Sequence, residues 1–258
     1  MNTSIPAIVL TCQRYAPLAE HMITCYQRVW PDSPFRFHLP DGQDTRDIAA
    51  RLGSRVVLRE TSEGNERGRF RAAVLDMLKN FHDDEWVYWC PDDKYPIWVN
   101  RRIAQNVVAS LCEAPSDISG LCLTKRQSRD KTMRAGDESC EYWIRDAAFR
   151  EIHNYKRIWL HQFLRVRVLR HLFERFPPVI ESAKVMDTLH RQIDLPAGSR
   201  RLMIKRNAMV LGESTHRGMI TANCAESLLR HQGLPNGFRV SEQRIVIGKR
   251  PWHWRFTG

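Results

Sequence analysis

Hydrophobic and polar positions follow two different periods along the first 111 residues of the chain. Apolar runs of strand length occur at 6–12, 35–39, 55–58 and 86–90, and in 35–39 (FRFHL) the apolar residues alternate with polar ones. Segments with apolar residues at every third or fourth position occur at 16–30, 44–52, 69–81 and about 98–111. The runs are typical of buried strands and the segments of amphipathic helices. Strand alternating with helix predicts an α/β domain with a mainly parallel central sheet and helices on both faces.

The second half of the sequence is less regular. Its patterns predict a strand at 118–124, a strongly basic helix at 158–176, a late strand or strand pair at 202–211 and a helix at 221–231. Two adjacent prolines, Pro177 and Pro178, would end the basic helix. The polar stretch 125–139 predicts a loop, and 179–201 predicts loops with short helices.

Composition is that of a folded globular protein. Of the 258 residues, 43% are hydrophobic and 27% are charged, which excludes a largely disordered chain. No apolar run approaches the roughly 20 residues that cross a bilayer, and the N-terminus lacks the basic start of a signal peptide. We therefore expect a cytoplasmic protein. The seven cysteines form no CxxC pair, so we interpret them as reduced core residues and not as zinc ligands.

The excess of positive charge favours an anionic partner. Lysine and arginine number 40 against 29 acidic residues, which gives a formal net charge of +11. Nucleic acid, an acidic membrane surface and a phosphorylated substrate would each satisfy that charge. Charge alone does not choose among them.

The candidate chemistry lies where the predicted strands end. In open parallel sheets, ligands bind at the carboxyl ends of the strands. The polar residues at those ends are Thr11 and Arg14, Asp41, Arg67 and Arg69, and the pair Asp92 and Asp93. Two adjacent carboxylates raise each other's pKa unless a cation or hydrogen bonds compensate. The pair therefore either caps a turn or offers hard oxygen ligands to Mg²⁺ or Mn²⁺.

Over residues 5 to about 111, this arrangement resembles the nucleotide-sugar glycosyltransferases of GT-A fold. The resemblance rests on an N-terminal strand (IPAIVLTCQRY), an acidic residue after the next strand (FHLPDG), a glycine-containing loop before a helix (64–69), and carboxylates after a hydrophobic strand (WVYWCPDD). Asp-Asp stands here in place of the family's usual Asp-x-Asp. The resemblance implies one Rossmann-like domain over 1–258, with a nucleotide-sugar half at 1–111 and an acceptor half at 112–258.

The activity that the resemblance implies is transfer of a sugar from a nucleoside diphosphate donor to an acceptor hydroxyl, assisted by a divalent metal. It implies that Asp93 and His216 are metal ligands. The nucleotide contacts that we predict are Thr11, Arg14, Asp41, Arg67, Arg69 and Asp92. The three arginines are predicted to contact the phosphates because they lie near strand ends or a helix N-terminus, where anions bind well.

An inverting enzyme of this kind needs a carboxylate as general base on the acceptor. Glu141 and Asp146 flank the aromatic pair Tyr142 and Trp143, which could form a platform for a sugar ring. Asp137 and Glu138 are rival candidates. A retaining mechanism would need no base on that face, and the sequence leaves the stereochemistry open.

The predicted partners are a nucleotide sugar and a glycan or lipid-linked acceptor. The basic helix 158–176 and the tail 249–255 could contact an anionic membrane from its inner face, or they could pack on the domain itself. We expect no nucleic-acid partner, because no helix-turn-helix, zinc-finger or RNA-recognition signature is present. Nucleic-acid binding and nucleotidyl transfer remain the alternatives. The second ordinarily uses a glycine-rich phosphate loop, and TCQRYAPL contains no glycine.

Overall fold

The computed structural model describes residues 4–62, 69–125, 141–152, 155, 157–180 and 183–242. Its strands are β1 (Ile5–Leu10), β2 (Phe35–Pro40), β3 (Val56–Arg59), β4 (Trp86–Pro91), β5 (Lys94–Val99), β6 (Ile118–Cys122), β7 (Glu141–Ile144), β8 (Ala147–Ile152), β9 (Gln162–Arg165), β10 (Arg200–Ile204), β11 (Met209–Glu213), β12 (Thr215–His216) and β13 (Met219–Ile220). Its helices are α1 (Ala16–Val29), α2 (Gln43–Leu52), α3 (Phe70–Leu78), α4 (Arg101–Ala109), α5 (Val166–Glu174), α6 (Ala183–Leu189) and α7 (Ala222–His231).

A nine-stranded sheet organises the molecule, in the order β3-β2-β1-β4-β9-β6-β10-β8-β7. The first four strands are parallel to one another. Strand β9 runs antiparallel between β4 and β6, and β8 runs antiparallel between β10 and β7, while the remaining strands point the same way as β1. The prediction of an α/β fold with a mainly parallel central sheet is confirmed.

Helices cover both faces of the sheet because the central strands are apolar on both sides. On one face, Ala7 and Val9 of β1 and Tyr88 of β4 pack with residues of α1, α4 and α7. On the other face, Ile8 and Trp89 pack with residues of α3, α5 and α6. Successive side chains of a strand point to opposite faces, so a strand buried on both sides must be apolar throughout.

The largest correction concerns the helix predicted at 158–176. Residues 162–165 instead form β9, and helix α5 begins only at Val166. Every residue of β9 is buried, including Arg165, whose guanidinium donates to the backbone carbonyls of Ile118, Asp84 and Ala114. This strand fills the gap between β4 and β6. The polar residues Gln162 and Arg165 within this buried strand gave the sequence the pattern of an amphipathic basic helix.

Two further elements were missed in the sequence. Strand β5 occupies the start of the helix predicted at about 98–111, so that α4 begins at Arg101, where the Asn100 side chain caps Ile103 N. The hairpin β7–β8 was not foreseen. The alternative of a late strand pair at 202–211 is confirmed by β10 and β11. Arg67, Asp137, Glu138 and the tail 249–255 lie outside the described residues.

Among the helices of the described residues, none combines the length and the apolar character that crossing a membrane requires.

Candidate active site

The carboxyl ends of β1 to β4 meet at one edge of the sheet. Two backbone hydrogen bonds extend the pairing beyond the strands themselves: Asp92 N donates to Leu10 O at 3.1 Å, and Asp41 N donates to Arg59 O at 2.7 Å. Because the strand order is β2-β1-β4, Asp41, Thr11 and Asp92 follow one another along this edge. The fold thus gathers three of the predicted nucleotide contacts.

Asp92 is held in a setting that disfavours its charge. Burial raises the pKa of the Asp92 carboxyl well above its usual range, and the neighbouring charge of Asp93 adds to that effect. A hydrogen bond with the Thr11 side chain and the positive charge of Lys94 act in the opposite direction. Perturbed carboxyls of this kind are concentrated at functional sites.

Asp93 and Lys94 form an ion pair at the turn between β4 and β5. Lys94 Nζ donates to Asp93 Oδ2 at 2.7 Å. The lysine is only 7% exposed, whereas the Asp93 side chain keeps 40% of its surface accessible. The second carboxylate oxygen, Asp93 Oδ1, is buried and has no hydrogen-bond partner within the described residues. Because a buried acceptor without a partner is costly, this oxygen is suited to accept a hydrogen bond from a ligand.

The segment that carries His216 is joined to the same turn. Ser214 N donates to Asp93 O at 2.7 Å, and β11 pairs with β5 so that Glu213 lies opposite Lys94. His216 follows two residues later in β12 and is half-buried. The backbone therefore brings the segment that contains His216 to the corner that contains Asp93.

A buried hydrogen-bond chain supports the turn from below. His161 Nε2 lies 2.9 Å from Pro91 O, its Nδ1 lies 2.7 Å from the Tyr26 hydroxyl, and that hydroxyl lies 2.9 Å from the Tyr88 hydroxyl. Burial lowers the pKa of His161 to about 4, so the ring is neutral at pH 7. A carbonyl can only accept, so Nε2 carries the proton; Tyr26 then donates to Nδ1 and Tyr88 donates to Tyr26.

Sequence reasoning missed this chain. The sequence around His161 carries no signal for this role, and the structure shows that its ring fixes the carbonyl directly before Asp92. No sequence signal could have found the chain, because its members come from three distant segments.

Two of the predicted arginines, Arg14 and Arg69, lie at the same edge. Arg14 belongs to a 3₁₀ turn directly after β1, and its guanidinium carbon lies 5.3 Å from the ring centroid of Phe238. Arg69 immediately precedes α3. Asp41 accepts two hydrogen bonds from Arg46, at 2.7 and 2.8 Å, and these bonds lower its pKa. The edge therefore combines carboxylates with cationic side chains.

The two candidate bases lie elsewhere. Glu141 begins β7, and Asp146 lies at the tip of the β7–β8 hairpin, where its oxygens accept hydrogen bonds from Arg102 at 2.8 Å and Asn106 at 3.2 Å. Strand β7 is five positions from β4, which corresponds to about 24 Å at the usual strand spacing. Trp143, between the two acids, is 58% exposed. The structure does not bring these acids to Asp92 and Asp93.

The described residues do not fit a divalent metal in this arrangement. Within them, no group of three or more His, Cys, Asp or Glu side chains is placed to hold an ion. Lys94 already pairs with Asp93 Oδ2, so one of the two carboxylates is engaged by a cation of the chain itself. The metal at Asp93 and His216 stays a prediction, and no chemical step below passes through it.

Comparisons with known proteins give similarity in fold. No family model matches the chain, and no curated protein matches it. Among solved structures, it is similar to the galactosyltransferase LgtC in complex with donor and acceptor sugar analogs (12% identity, 74% of this chain and 67% of that chain, TM-score 0.38). It is also similar to S. aureus TarS 1–349 (16%, 80% and 59%, TM-score 0.48) and to a mannose-1-phosphate geranyltransferase from Thermus thermophilus (14%, 81% and 75%, TM-score 0.41).

These likenesses go in the same direction as the resemblance found in the sequence, but the fold class, an α/β domain with a mainly parallel central sheet, rests on the strand order and pairing of the chain itself. The chain spans less than two thirds of the TarS structure. Similarity at this level is confined to the fold, and the superpositions are too loose to transfer residues or substrates.

Proposed function

We propose that the protein is a glycosyltransferase that moves a sugar from a nucleoside diphosphate donor to an acceptor hydroxyl. The observation that carries this proposal is the cluster at the ends of β1 and β4, in which Thr11, Asp92, Asp93 and Lys94 meet. The cluster contains one buried carboxylate oxygen, Asp93 Oδ1, that lacks a partner within the described residues. A donor sugar or ribose hydroxyl would supply that hydrogen bond.

The donor would lie along the carboxyl edge of the sheet. Asp41 and Thr11 belong to the nucleoside end of this site, because β2 and β1 precede β4 in the strand order. Arg14 and Arg69 are the described candidates for the diphosphate, since guanidinium groups bind phosphate oxygens in pairs. Arg67 is a further candidate outside the described residues. His216, two residues after the Ser214 that bonds Asp93 O, is the further donor contact that we propose beside Asp93.

In the reaction, the acceptor oxygen forms a bond to the anomeric carbon of the sugar. The bond from that carbon to the phosphate oxygen breaks, and its electron pair leaves with the diphosphate. The acceptor proton passes to a base, for which Glu141 and Asp146 remain the candidates in an inverting reaction. Strand β7 lies five strand positions from β4, or roughly 24 Å. Either acid can therefore act as the base only if the β7–β8 hairpin approaches β4.

A glycan or a lipid-linked glycan is the proposed acceptor. A peripheral contact with an anionic membrane belongs to the same proposal. Arg165 and Arg170 contribute little to such a contact, since both bind backbone carbonyls of the protein, Arg170 that of Phe81 at 2.9 Å.

The donor site is tested by thermal-shift titration with UDP, GDP, CDP and ADP, with and without Mn²⁺. A ligand at 100 times its dissociation constant stabilises the folded state by about 2.7 kcal/mol. We expect one nucleotide to raise the melting temperature, and Asp93→Asn to abolish that shift. Asp32→Asn, in the loop after α1, is the matched control and should leave the shift unchanged.

The proposal would be refuted if none of the four nucleotides raised the melting temperature, either with or without Mn²⁺. Once a nucleotide is identified, two incubations separate two enzyme classes: one with the nucleotide sugar and an acceptor, and one with the nucleoside triphosphate and a sugar phosphate. Release of the nucleoside diphosphate supports glycosyl transfer. Release of pyrophosphate from the nucleoside triphosphate and a sugar phosphate would identify a nucleotidyltransferase instead.

A further inference from the structure

A buried cation is already present at the point where a diphosphate would bind. The side chain of Lys94 is enclosed by the protein, and its ammonium group reaches Asp93 Oδ2 at 2.7 Å. Asp93 itself is 40% exposed, so the ammonium group is held directly behind an accessible carboxylate. An ammonium group has three donors, and the bond to Asp93 uses one of them.

The position of this lysine is fixed by the fold. Lys94 is the first residue of β5 and lies opposite Glu213 of β11 in the strand register. The turn before it is tied to β1 through Asp92 N and Leu10 O, and to the start of β12 through Asp93 O and Ser214 N. The ammonium group is therefore preorganised and would not need to be ordered when a ligand binds.

The turn that contains Asp93 and Lys94 provides few ligands for a divalent ion. Within the described residues there is no group of three or more metal-binding side chains, and Asp93 is already neutralised by a cation. Arg14 and Arg69 lie at the same edge and add positive charge. The charge that a metal would provide to a diphosphate is thus available from the chain itself.

We propose that Lys94 is the resident cation of the donor site and that the nucleoside diphosphate binds without a divalent metal. In this arrangement, the ammonium group donates hydrogen bonds to the diphosphate oxygens. Asp93 orients the ammonium group through Oδ2 and accepts a donor hydroxyl through Oδ1. This inference rests on the proposed function, because it assigns the cation of the same site.

The first experiment measures the affinity of the wild-type protein for the nucleoside diphosphate that gives the largest thermal shift. Calorimetric titrations are made in excess EDTA and in excess Mn²⁺. We expect the two dissociation constants to agree within tenfold. A loss of more than tenfold in EDTA, restored by Mn²⁺, would overturn the inference while leaving the proposed function intact. Absence of binding under both conditions would refute the proposed function itself.

The second experiment distinguishes a direct contact from simple neutralisation of Asp93. Lys94→Met should weaken the nucleoside diphosphate at least tenfold and leave the affinity for the corresponding nucleoside unchanged. The double variant Asp93→Asn/Lys94→Met should bind at least as weakly as Lys94→Met, because the phosphate contact is still absent and the contact of Asp93 is lost as well. Recovery of wild-type affinity in the double variant would show that the lysine only balances the aspartate.

The control is Lys79→Met, which removes an exposed lysine at the end of α3 and should bind as the wild type does. If Lys94→Met does not fold, the comparison of EDTA with Mn²⁺ on the wild-type protein decides the question by itself.

Discussion

Replacing Tyr26 by Phe tests the hydrogen-bond chain beneath the candidate site. The change removes one hydroxyl, which donates to His161 Nδ1 at 2.7 Å and accepts from Tyr88 at 2.9 Å. The ring and its contacts with Phe35 and Phe37 are kept. In the variant, the Tyr88 hydroxyl can donate instead to Met209 Sδ, which lies 3.4 Å away. The substitution therefore leaves one buried acceptor without a partner, namely His161 Nδ1.

Leaving one neutral buried group unsatisfied costs about 1–3 kcal/mol, so we expect the free energy of unfolding to fall by that amount. The effect should also reach the site, because His161 then holds Pro91 O less firmly, and the affinity for the nucleoside diphosphate should weaken. Urea denaturation gives the first quantity and calorimetric titration gives the second.

Tyr155→Phe is the matched control. Its hydroxyl is also buried, and it donates to Val168 O at 3.2 Å. Its ring packs with Ile158, Val168 and their neighbours on the α5 side of the sheet, away from the His161 chain, so nucleotide affinity should be unchanged in this variant. If Tyr26→Phe unfolds at the same urea concentration as the wild type and binds nucleotide equally well, the chain has no supporting role and the reasoning is refuted.

Three further outcomes are expected. Burial lowers the pKa of three histidines from 6.5: His21 to about 4, His38 to about 3 and His161 to about 4. Between pH 6.5 and about 4, each histidine is therefore neutral in the folded state, whereas it binds a proton in the unfolded chain. Stability should therefore fall as the pH drops below 6.5 towards 4, by about 1.4 kcal/mol per pH unit for each histidine, and equal urea midpoints at pH 7 and 5 would contradict this. Asp92→Asn should raise the free energy of unfolding at pH 7, because the raised pKa of Asp92 makes its charge unfavourable in the folded state, and it should also weaken nucleotide binding; a loss of stability at pH 7 would argue against this prediction. Gly212→Ala should cost about 1–3 kcal/mol by overpacking, since the added methyl group would lie 2.7 Å from the buried Tyr95 ring; Gly198→Ala, with open space around the added methyl group, shows the cost of backbone strain alone.

The sequence by itself determined the first half of the fold. The runs at 6–12, 35–39, 55–58 and 86–90 became β1 to β4 with small shifts at their ends. Strands β1 and β4 are apolar on both faces, β2 alternates between apolar and polar residues, and the helices between the strands have one apolar side, so local pattern and final environment agree. The positions of Thr11, Asp41 and Asp92 at one edge follow directly, because parallel strands have their carboxyl ends on the same side.

The second half was decided by tertiary structure. Gln162 and Arg165 are polar, and no local pattern marks them as members of a central strand. They are tolerated there because Gln162 donates to the carbonyls of Arg157 and Leu160, and Arg165 donates to three others. Hydrogen bonds to distant segments thus determine this strand, and such bonds do not exist until the chain has folded.

The same distinction applies to the candidate site. Asp92 and Asp93 could be selected from the sequence, because a carboxylate pair after a buried strand is a local feature. The ion pair of Asp93 with a buried Lys94, the bond from Ser214 and the support from His161 required coordinates. The distance of Asp146 from this turn also required them, since its place is set by strand order and not by its neighbours in the sequence. Residue types and strand ends are local properties, whereas burial and partners are properties of the packed structure.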